Sequence, residues 1–293
     1  DNAIHSGILA MSTVSTARSA IRTFLFELED AGQTSFDSID LVEINAAINR
    51  VATHFSGGLH SAIFSIRMFL IHLYEYGFTQ ENLSLAIPEM VARKSIFREG
   101  FKDEEIIRLL DEPDLTLSTG KRDYTLMCLA AQTGLRACDI VNLKRTDIDW
   151  RAMEIHIVQQ KTGIPLSLPL EIESGNAIAE YLLHDRPQSD LPYIFLCHTG
   201  ILRPLNSKSA SAIVSKYMKR INIDVSIPRR GFHSFRRSFG TRLLQNETPI
   251  ELLRQLLGHS KIDSAKPYLS VDECGLKSCA LSLVKSGKVG ELV

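Results

Sequence analysis

The chain has 293 residues, and because one domain usually holds about 100–200 residues, this length predicts two domains. Apolar residues make up 44% of the chain and charged residues 23%, which excludes global disorder and a fibrous repeat. The net charge of −1 excludes a uniformly basic protein, although residues 203–242 concentrate ten basic side chains against one acid, Asp224.

Helical periodicity dominates the first hundred residues. Apolar side chains recur at helical spacing in residues 12–30, in residues 38–54 and in a third stretch from Ile63 to about Gly77. A short helix is expected around residues 81–85. The stretch that follows, residues 88–102, has no clear period, contains several basic residues and is typical of an interdomain linker.

The second part of the chain mixes helices with a small sheet. Acidic residues at positions 103–105 precede an apolar pattern and predict a helix start, since negative charge suits a helix N-terminus. Residues 122–132 are apolar enough to form a buried helix. Alternation in residues 153–158, a glycine-containing turn and a second run at residues 164–168 predict a β-hairpin. The pattern after the hairpin is helical again.

These elements predict a mainly α chain with an N-terminal helical bundle, residues 1–98, and a mixed α+β domain with a small antiparallel sheet, residues 99–293. The five cysteines are scattered and lack metal-ligand spacing, so we expect reduced thiols. No apolar run approaches the ~20 residues that span a membrane, and the first residues do not resemble a secretion signal. We therefore expect a cytoplasmic protein.

Several short motifs carry polar chemistry. The sequence T-G-L-R places Arg136 beside a glycine turn at a helix start, where a guanidinium is well presented to a phosphate. His233 and Arg236 are three residues apart and share one helix face. His259 directly follows a glycine helix stop, and Tyr268 lies nine residues later. Taken singly, each of these more often marks a structural ion pair or a packing residue.

The order and spacing of the motifs are more specific than any one of them. T-G-L-R is followed by a lysine in the hairpin turn, by H-x-x-R about 100 residues later, by L-G-H and then by the tyrosine. In this respect the sequence resembles the tyrosine recombinase (phage-integrase-like) family. The resemblance covers roughly residues 1–285 and is motif-specific in residues 133–268.

The resemblance implies a fold and a chemistry. Family members clamp duplex DNA between a SAM-like, helical core-binding domain and a catalytic domain. The positions that match the family's catalytic residues are Tyr268, Arg136, Lys161, His233, Arg236 and His259. Attack on the scissile phosphate would give a 3′-phosphotyrosyl enzyme and a free 5′-hydroxyl, followed by strand exchange through a Holliday junction. The covalent link conserves the bond energy, so no metal or cofactor is expected.

The resemblance also assigns a role to each residue. Tyr268 is the nucleophile, and His233 is the base that helps to remove its proton. Lys161 protonates the leaving 5′ oxygen, and the arginines stabilise the charge on the phosphate. His259 is expected to hydrogen-bond the phosphate. Asp139 is expected to orient Arg136 or its helix.

The expected partner is double-stranded DNA with an inverted-repeat site, bound by a tetramer in the synaptic complex. The basic segment predicts contacts to the DNA backbone. The DNA-binding candidates are Arg229, Arg230, Arg237, Lys216, Lys219 and Arg220. A C-terminal apolar pattern, residues 276–284, predicts a helix that packs either on its own domain or on a neighbouring protomer.

Three departures from the family pattern accompany the match, and one of them is a loop before the tyrosine that differs from the family's common Thr-rich version. Arg237 stands where histidine is frequent, and Pro267 restricts the backbone directly before the tyrosine. Two other functions stay open at this point. One is a DNA-binding accessory factor with a decayed catalytic site, and the other is a nicking-closing enzyme similar to type IB topoisomerases.

Overall fold

The computed structural model describes residues 11–36, 39–55, 58–87, 99–223 and 230–258. The chain divides into two compact units, residues 1–95 and residues 96–293. The predicted domain boundary near residue 98 falls in a segment outside the described residues and stays a prediction. The same holds for Arg229, for His259 and Tyr268, and for the predicted C-terminal helix.

The first unit is helical, as the apolar periodicity predicted. Its elements are α1 (Met11–Asp30), α2 (Leu41–His54), α3 (Leu59–Glu75) and a 3-10 turn, Leu83–Ala86. Helix α2 begins at a capping box, in which Asp40 accepts from the backbone N–H of Glu43 while the Glu43 carboxylate accepts from that of Asp40. Apolar side chains from all three helices, including Phe24, Ile44 and Ile66, are fully buried in one core.

The second unit combines helices with a three-stranded sheet. Its helices are α4 (Asp103–Asp111), α5 (Ser118–Thr133), α6 (Ala137–Val141), α7 (Ile172–Glu180), α8 (Ser207–Arg220), α9 (Phe232–Gln245) and α10 (Ile250–Leu257). A π-helical turn, Tyr181–Asp185, extends α7. Helix α5 is buried along most of its length and contacts α7 and α9, so it forms the centre of this unit.

The sheet is antiparallel, with the order β1-β2-β3. Its strands are β1 (Ile148–Asp149), β2 (Glu154–Val158) and β3 (Pro165–Pro169). Ile155 pairs with Leu168, and both side chains are buried against the core. The hairpin prediction is confirmed, but β2 begins one residue later than expected because Met153 has a positive φ of 54° and belongs to the preceding turn. Strand β1 and the π-helical turn were not predicted.

The helix starting at residue 103 and the buried helix around residues 122–132 are also confirmed. Helix α5 is longer than its apolar stretch, because its polar first turn continues the same helix. Among the described residues, none of the helices is both long and apolar enough to cross a membrane.

Candidate active site

The T-G-L-R turn is shaped by Gly134. This residue ends α5 in the left-handed conformation, with φ 61°. A Cβ at this position would lie 2.6 Å from the Phe239 ring of α9, so only glycine lets α9 approach so closely. Two residues later, Arg136 is the N-cap of α6. The turn therefore fixes Arg136 relative to both α5 and α9.

The Arg136 guanidinium has two neighbours. Its Nη1 donates to Oε1 of Gln159 at 2.8 Å and lies 3.8 Å from Oδ2 of Asp139, at the limit of an ion pair. The Asp139 carboxylate is buried, and its Oδ1 accepts from the backbone N–H of Gln160 at 2.9 Å. Asp139 thus holds the start of the hairpin loop and lies close enough to attract Arg136, while its expected role in orienting Arg136 stays a prediction.

Lys161 lies in the loop between β2 and β3. Two backbone hydrogen bonds close this loop: the N–H of Gln159 donates to the carbonyl of Ile164, and the N–H of Gly163 donates to the carbonyl of Gln159. Gly163 has a positive φ of 67°. The Lys161 side chain is exposed. The lysine is therefore exposed to solvent on a loop whose backbone is fixed by hydrogen bonds.

Helix α9 carries both residues of the H-x-x-R motif. Arg236 is almost completely buried, at 1% exposure. Its Nη1 donates to the carbonyl of Gly134 at 3.0 Å, and its Nη2 donates to the carbonyl of Leu257. Arg236 therefore links the T-G-L-R turn to the end of α10, directly before the segment with His259.

The electrostatics of His233 show which residues converge on it. Its pKa is lowered to about 4, first by loss of hydration and then by four positive charges. Those charges belong to Arg237, Arg236, Arg136 and Lys161. His233 as a whole residue is still partly open to solvent, so a substrate can reach it. Motifs about 100 residues apart in sequence thus form one positively charged cluster around a neutral imidazole.

Fewer basic side chains of residues 203–242, the basic segment, are available to DNA than their number in the sequence indicates. Arg230 forms a two-pronged ion pair with Glu105 and lies over the Phe101 ring. Lys216 Nζ bonds Asp123 at 2.9 Å. Arg220 approaches Glu112 at 3.8 Å, while Lys219 is exposed at the end of α8. Three predicted DNA contacts are thus engaged with acids of the same unit.

These pairs change the expectation for the basic segment. Arg230 in particular is a structural residue here, since its side chain is only 5% exposed and is held by an acid from α4. Lys216 and Arg220 are more open, at 44% and 54%, and would have to share their charge with a phosphate. Contacts from Lys219 and Arg237 to DNA stay predictions.

Sequence reasoning missed Gln159. Its side chain is 1% exposed and bonds Arg136, yet a glutamine in a hairpin loop looks like a solvent-facing residue. Its position after a strand and two residues before the hairpin lysine was visible in the sequence. The residues that bury it were not, because they come from a helix end about 100 residues later.

Comparison with known proteins identifies the family. The profile of the Phage integrase family matches residues 100–274, more than half of the chain. The chain belongs to the phage integrase family. The matched region includes all the residues of the ordered motif set, and the prediction of family membership is confirmed.

Relatives within the integrase family cover most of this chain. The putative integrase/recombinase y4rA of Sinorhizobium fredii (strain NBRC 101917 / NGR234) is 28% identical over 277 residues, which are 93% of this chain and 66% of that protein. Tyrosine recombinase XerD of Staphylococcus haemolyticus (strain JCSC1435) is 30% identical over 182 residues, 59% of this chain and 58% of that protein. The chain therefore spans about two thirds, or less, of the length of these relatives.

Solved integrase structures share the fold. A lambda integrase dimer bound to a COC′ core site has a TM-score of 0.68 at 18% identity and covers 91% of both chains. The Tn1549 transposon integrase, solved with a circular intermediate DNA, has a TM-score of 0.69 at 16% identity and covers 91% of this chain and 92% of that one. The mainly α fold with a small antiparallel sheet is thus that of the integrase family.

Proposed function

We propose that this chain is a site-specific DNA recombinase that cleaves and rejoins duplex DNA with Tyr268 as the nucleophile. The observation that carries the proposal is that hydrogen bonds join Arg136, Arg236 and the hairpin loop into one site. Four positive charges of this site act on His233. Such a cluster suits one phosphodiester, whose charge grows on its non-bridging oxygens as it is attacked. Membership of the phage integrase family supports the same reading.

The proposed reaction conserves the number of phosphoester bonds. The Tyr268 oxygen attacks the scissile phosphorus and displaces the 5′ oxygen of the next nucleotide, which leaves a 3′-phosphotyrosyl link. The 5′-hydroxyl of a partner strand then attacks that link and releases the tyrosine. Two such exchanges, with a Holliday junction between them, complete recombination. Because each step exchanges one ester for another, the reaction needs no external energy source.

Each residue of the cluster has a distinct proposed part. The ordinary pKa of a tyrosine is about 10, so it needs a base at neutral pH, and His233 is the proposed base. Its lowered pKa keeps the ring neutral and able to accept a proton, and the negative charge of a bound phosphate would raise that pKa and make the ring a stronger base. The exposed Lys161 donates a proton to the leaving 5′ oxygen. Arg136 and Arg236 stabilise the phosphate, a contribution worth about 10²–10³ in rate for each removable contact. His259 is proposed as a further phosphate ligand.

Arg236 is proposed to act under a structural constraint. Two of its nitrogens already bond the backbone of Gly134 and Leu257. A rigidly held guanidinium loses little conformational entropy when it meets a phosphate, which favours transition-state binding. Its replacement would therefore disturb both the phosphate site and the packing of α9 against α5 and α10.

The proposed substrate is duplex DNA with inverted repeats, recognised by the unit of residues 1–98 together with the catalytic unit, residues 99–293. The solved relatives support this, since lambda integrase is bound to a core site and the Tn1549 integrase to a circular intermediate DNA. By resemblance, we propose a tetramer in the synaptic complex. A DNA substrate also agrees with the expected cytoplasmic location.

One plasmid experiment separates this proposal from its two alternatives. A supercoiled plasmid would carry two direct copies of the repeat-containing DNA that flanks the gene. A recombinase produces two smaller circles, a topoisomerase-like enzyme only relaxes the plasmid, and an accessory factor only retards it in a gel. We expect the two circles. Relaxation without circles, or binding without any strand breakage, would contradict the proposal.

Matched arginine variants make that experiment specific. Arg136→Ala removes a cluster residue, whereas Arg151→Ala removes an exposed arginine from the turn between β1 and β2. The first should lower circle formation by about 10²-fold or more. The second should recombine at the rate of the unmodified protein. Equal rates for the two variants would remove Arg136 from the proposed site.

A further inference from the structure

The Gln159 side chain joins three segments of the catalytic unit. Its Oε1 accepts from Arg136 Nη1 at 2.8 Å and from Thr162 Oγ1 at 2.8 Å. Its Nε2 donates to the carbonyl of Leu257 at 3.2 Å. The T-G-L-R turn, the hairpin loop and the last turn of α10 thus meet at one buried amide.

The same carbonyl closes a ring of hydrogen bonds around the site. Leu257 accepts from both Gln159 and Arg236, and Arg236 in turn bonds the carbonyl of Gly134. Gly134 lies two residues before Arg136, and Arg136 donates to the Gln159 side chain, which completes the ring. Both catalytic arginines are therefore connected through this glutamine and the end of α10.

The backbone leaves room for the amide. Gly258 ends α10 with a positive φ of 59°, and a Cβ at this position would overlap the amide oxygen and nitrogen of Gln159. A side chain there would force the amide out of its position. Gly258 therefore both ends α10 and leaves space for the Gln159 amide, and it directly precedes His259 in the sequence.

A competing partner for Arg136 lies close by. Oδ2 of Asp139 is buried, is 3.8 Å from Arg136 Nη1, and has no hydrogen-bond partner in the described part of the chain. A buried carboxylate oxygen without a partner is costly, so it attracts the guanidinium. The bond to Gln159 opposes that attraction. Because an amide is neutral, it holds Arg136 without neutralising the charge that a phosphate needs.

We infer that Gln159 is a positioning residue that holds Arg136 in its phosphate-binding orientation and away from Asp139. This inference rests on the proposed recombinase function for its consequence in the reaction. When the amide is removed, Arg136 turns further toward Asp139, and the existing 3.8 Å contact shortens to a hydrogen-bonded ion pair. The guanidinium is then misdirected and partly neutralised, although it is still present.

The test uses Gln159→Leu, with Gln160→Leu as the matched control, because the Gln160 side chain on the same loop is exposed. We expect Gln159→Leu to lower the first-order cleavage rate at saturating DNA by about 10- to 100-fold, the effect of a displaced catalytic group. The DNA dissociation constant should change less than about threefold. Gln160→Leu should cleave at the unmodified rate. Cleavage by Gln159→Leu within twofold of that rate would overturn the inference.

A double variant separates positioning from a general loss of structure. In the Gln159→Leu background, Asp139→Asn removes the charge that captures Arg136 but retains an oxygen for the Gln160 N–H. Cleavage should therefore recover by at least about threefold relative to Gln159→Leu alone. If the two changes instead add their losses, Gln159 does not act through Arg136 and the inference is wrong.

A crystal structure of Gln159→Leu gives an answer that does not depend on activity. We expect the Arg136 guanidinium within hydrogen-bond distance of Asp139 Oδ2. An Arg136 side chain left in its original orientation would overturn the inference. If the unmodified protein cleaves no DNA, the proposed function fails, and this crystallographic comparison still decides whether Gln159 positions Arg136.

Discussion

Gly134→Ala tests whether the T-G-L-R turn depends on the close approach of α9. The substitution has two costs in the structure. A Cβ in the left-handed conformation, at φ 61°, costs about 1–2 kcal/mol. The new methyl group would also lie 2.6, 2.9 and 3.0 Å from three carbons of Phe239, an overpacking that typically costs about 1–3 kcal/mol. Together these predict a destabilisation of about 2–5 kcal/mol.

Gly200→Ala is the matched control. Gly200 has a similar positive φ of 72°, but a Cβ there would meet no atom within 4 Å. Gly200→Ala should therefore lower the stability only by the cost of a Cβ in the left-handed conformation, about 1–2 kcal/mol. The difference between the two variants isolates the packing of α9 against the turn.

The measurement is denaturant unfolding followed by the fluorescence of Trp150, the single tryptophan, which lies in the second unit. Gly134→Ala should also cleave DNA more slowly, because the Gly134 carbonyl holds Arg236 and the turn holds Arg136. If Gly134→Ala is no less stable than Gly200→Ala, the close contact with Phe239 does not constrain the site, and this reasoning is refuted.

Three further predictions concern charge and proton transfer. Burial raises the pKa of Glu105, but hydrogen bonds and charges from Arg230 and Lys102 outweigh this effect and lower the pKa below the ordinary 4.5. The stability that this pair contributes should therefore be present above about pH 4.5 and lost as the pH falls through the lowered pKa. In thermal melts, the melting temperature should accordingly fall more steeply with decreasing pH for the unmodified protein than for Glu105→Gln. An equal fall for the two proteins would contradict the prediction. NMR titration should give His233 a pKa near 4 in the free protein, and this pKa should rise when a DNA phosphate enters the cluster. A pKa of 6.5 or higher without DNA would disprove the convergence of positive charges on His233. Lys161→Ala should cleave ordinary DNA slowly but recover on a substrate with a 5′-bridging sulfur, since a thiolate leaves without a proton; an unchanged defect on the sulfur substrate would exclude the lysine as the acid.

Much of the fold follows from local patterns in the sequence. Apolar periodicity predicted α1 to α3 and the buried α5, and alternation with a glycine turn predicted the hairpin. Strand β1 was missed because two residues carry no detectable period. The backbone of Met153, with its positive φ, also lies outside any pattern rule. Element ends depend on such single residues, whereas element types depend on many.

The site was predictable where it depends on order and spacing. The motif order predicted four site residues: Arg136, Lys161, His233 and Arg236. The lowered pKa of His233 agrees with this, because the positive charges of the other three act on it. The role of Gln159 was not predictable, because its burial requires the end of α10 to pack on the hairpin.

The charge count of the basic segment was equally incomplete. Arg230 is paired with Glu105, an acid 125 positions away in the chain, which a local tally of charges does not include. Local composition therefore showed where positive charge is concentrated but not which side chains are available to DNA.

The central claim is that Tyr268 becomes covalently attached to DNA, and trapping that link tests it most directly. A suicide duplex contains the flanking repeat and a nick close to the scissile phosphate, so that a short fragment is lost after cleavage and religation is blocked. We expect a protein–DNA adduct that survives a denaturing gel, carries the 3′ end of the cut strand, and maps by peptide mass to Tyr268. Tyr268→Phe should form none, while Tyr76→Phe, which alters an exposed tyrosine of α3's C-cap, should form as much as the unmodified protein. An adduct that persists in Tyr268→Phe, or a Tyr268 protein that cuts its DNA without any covalent link, would contradict the account.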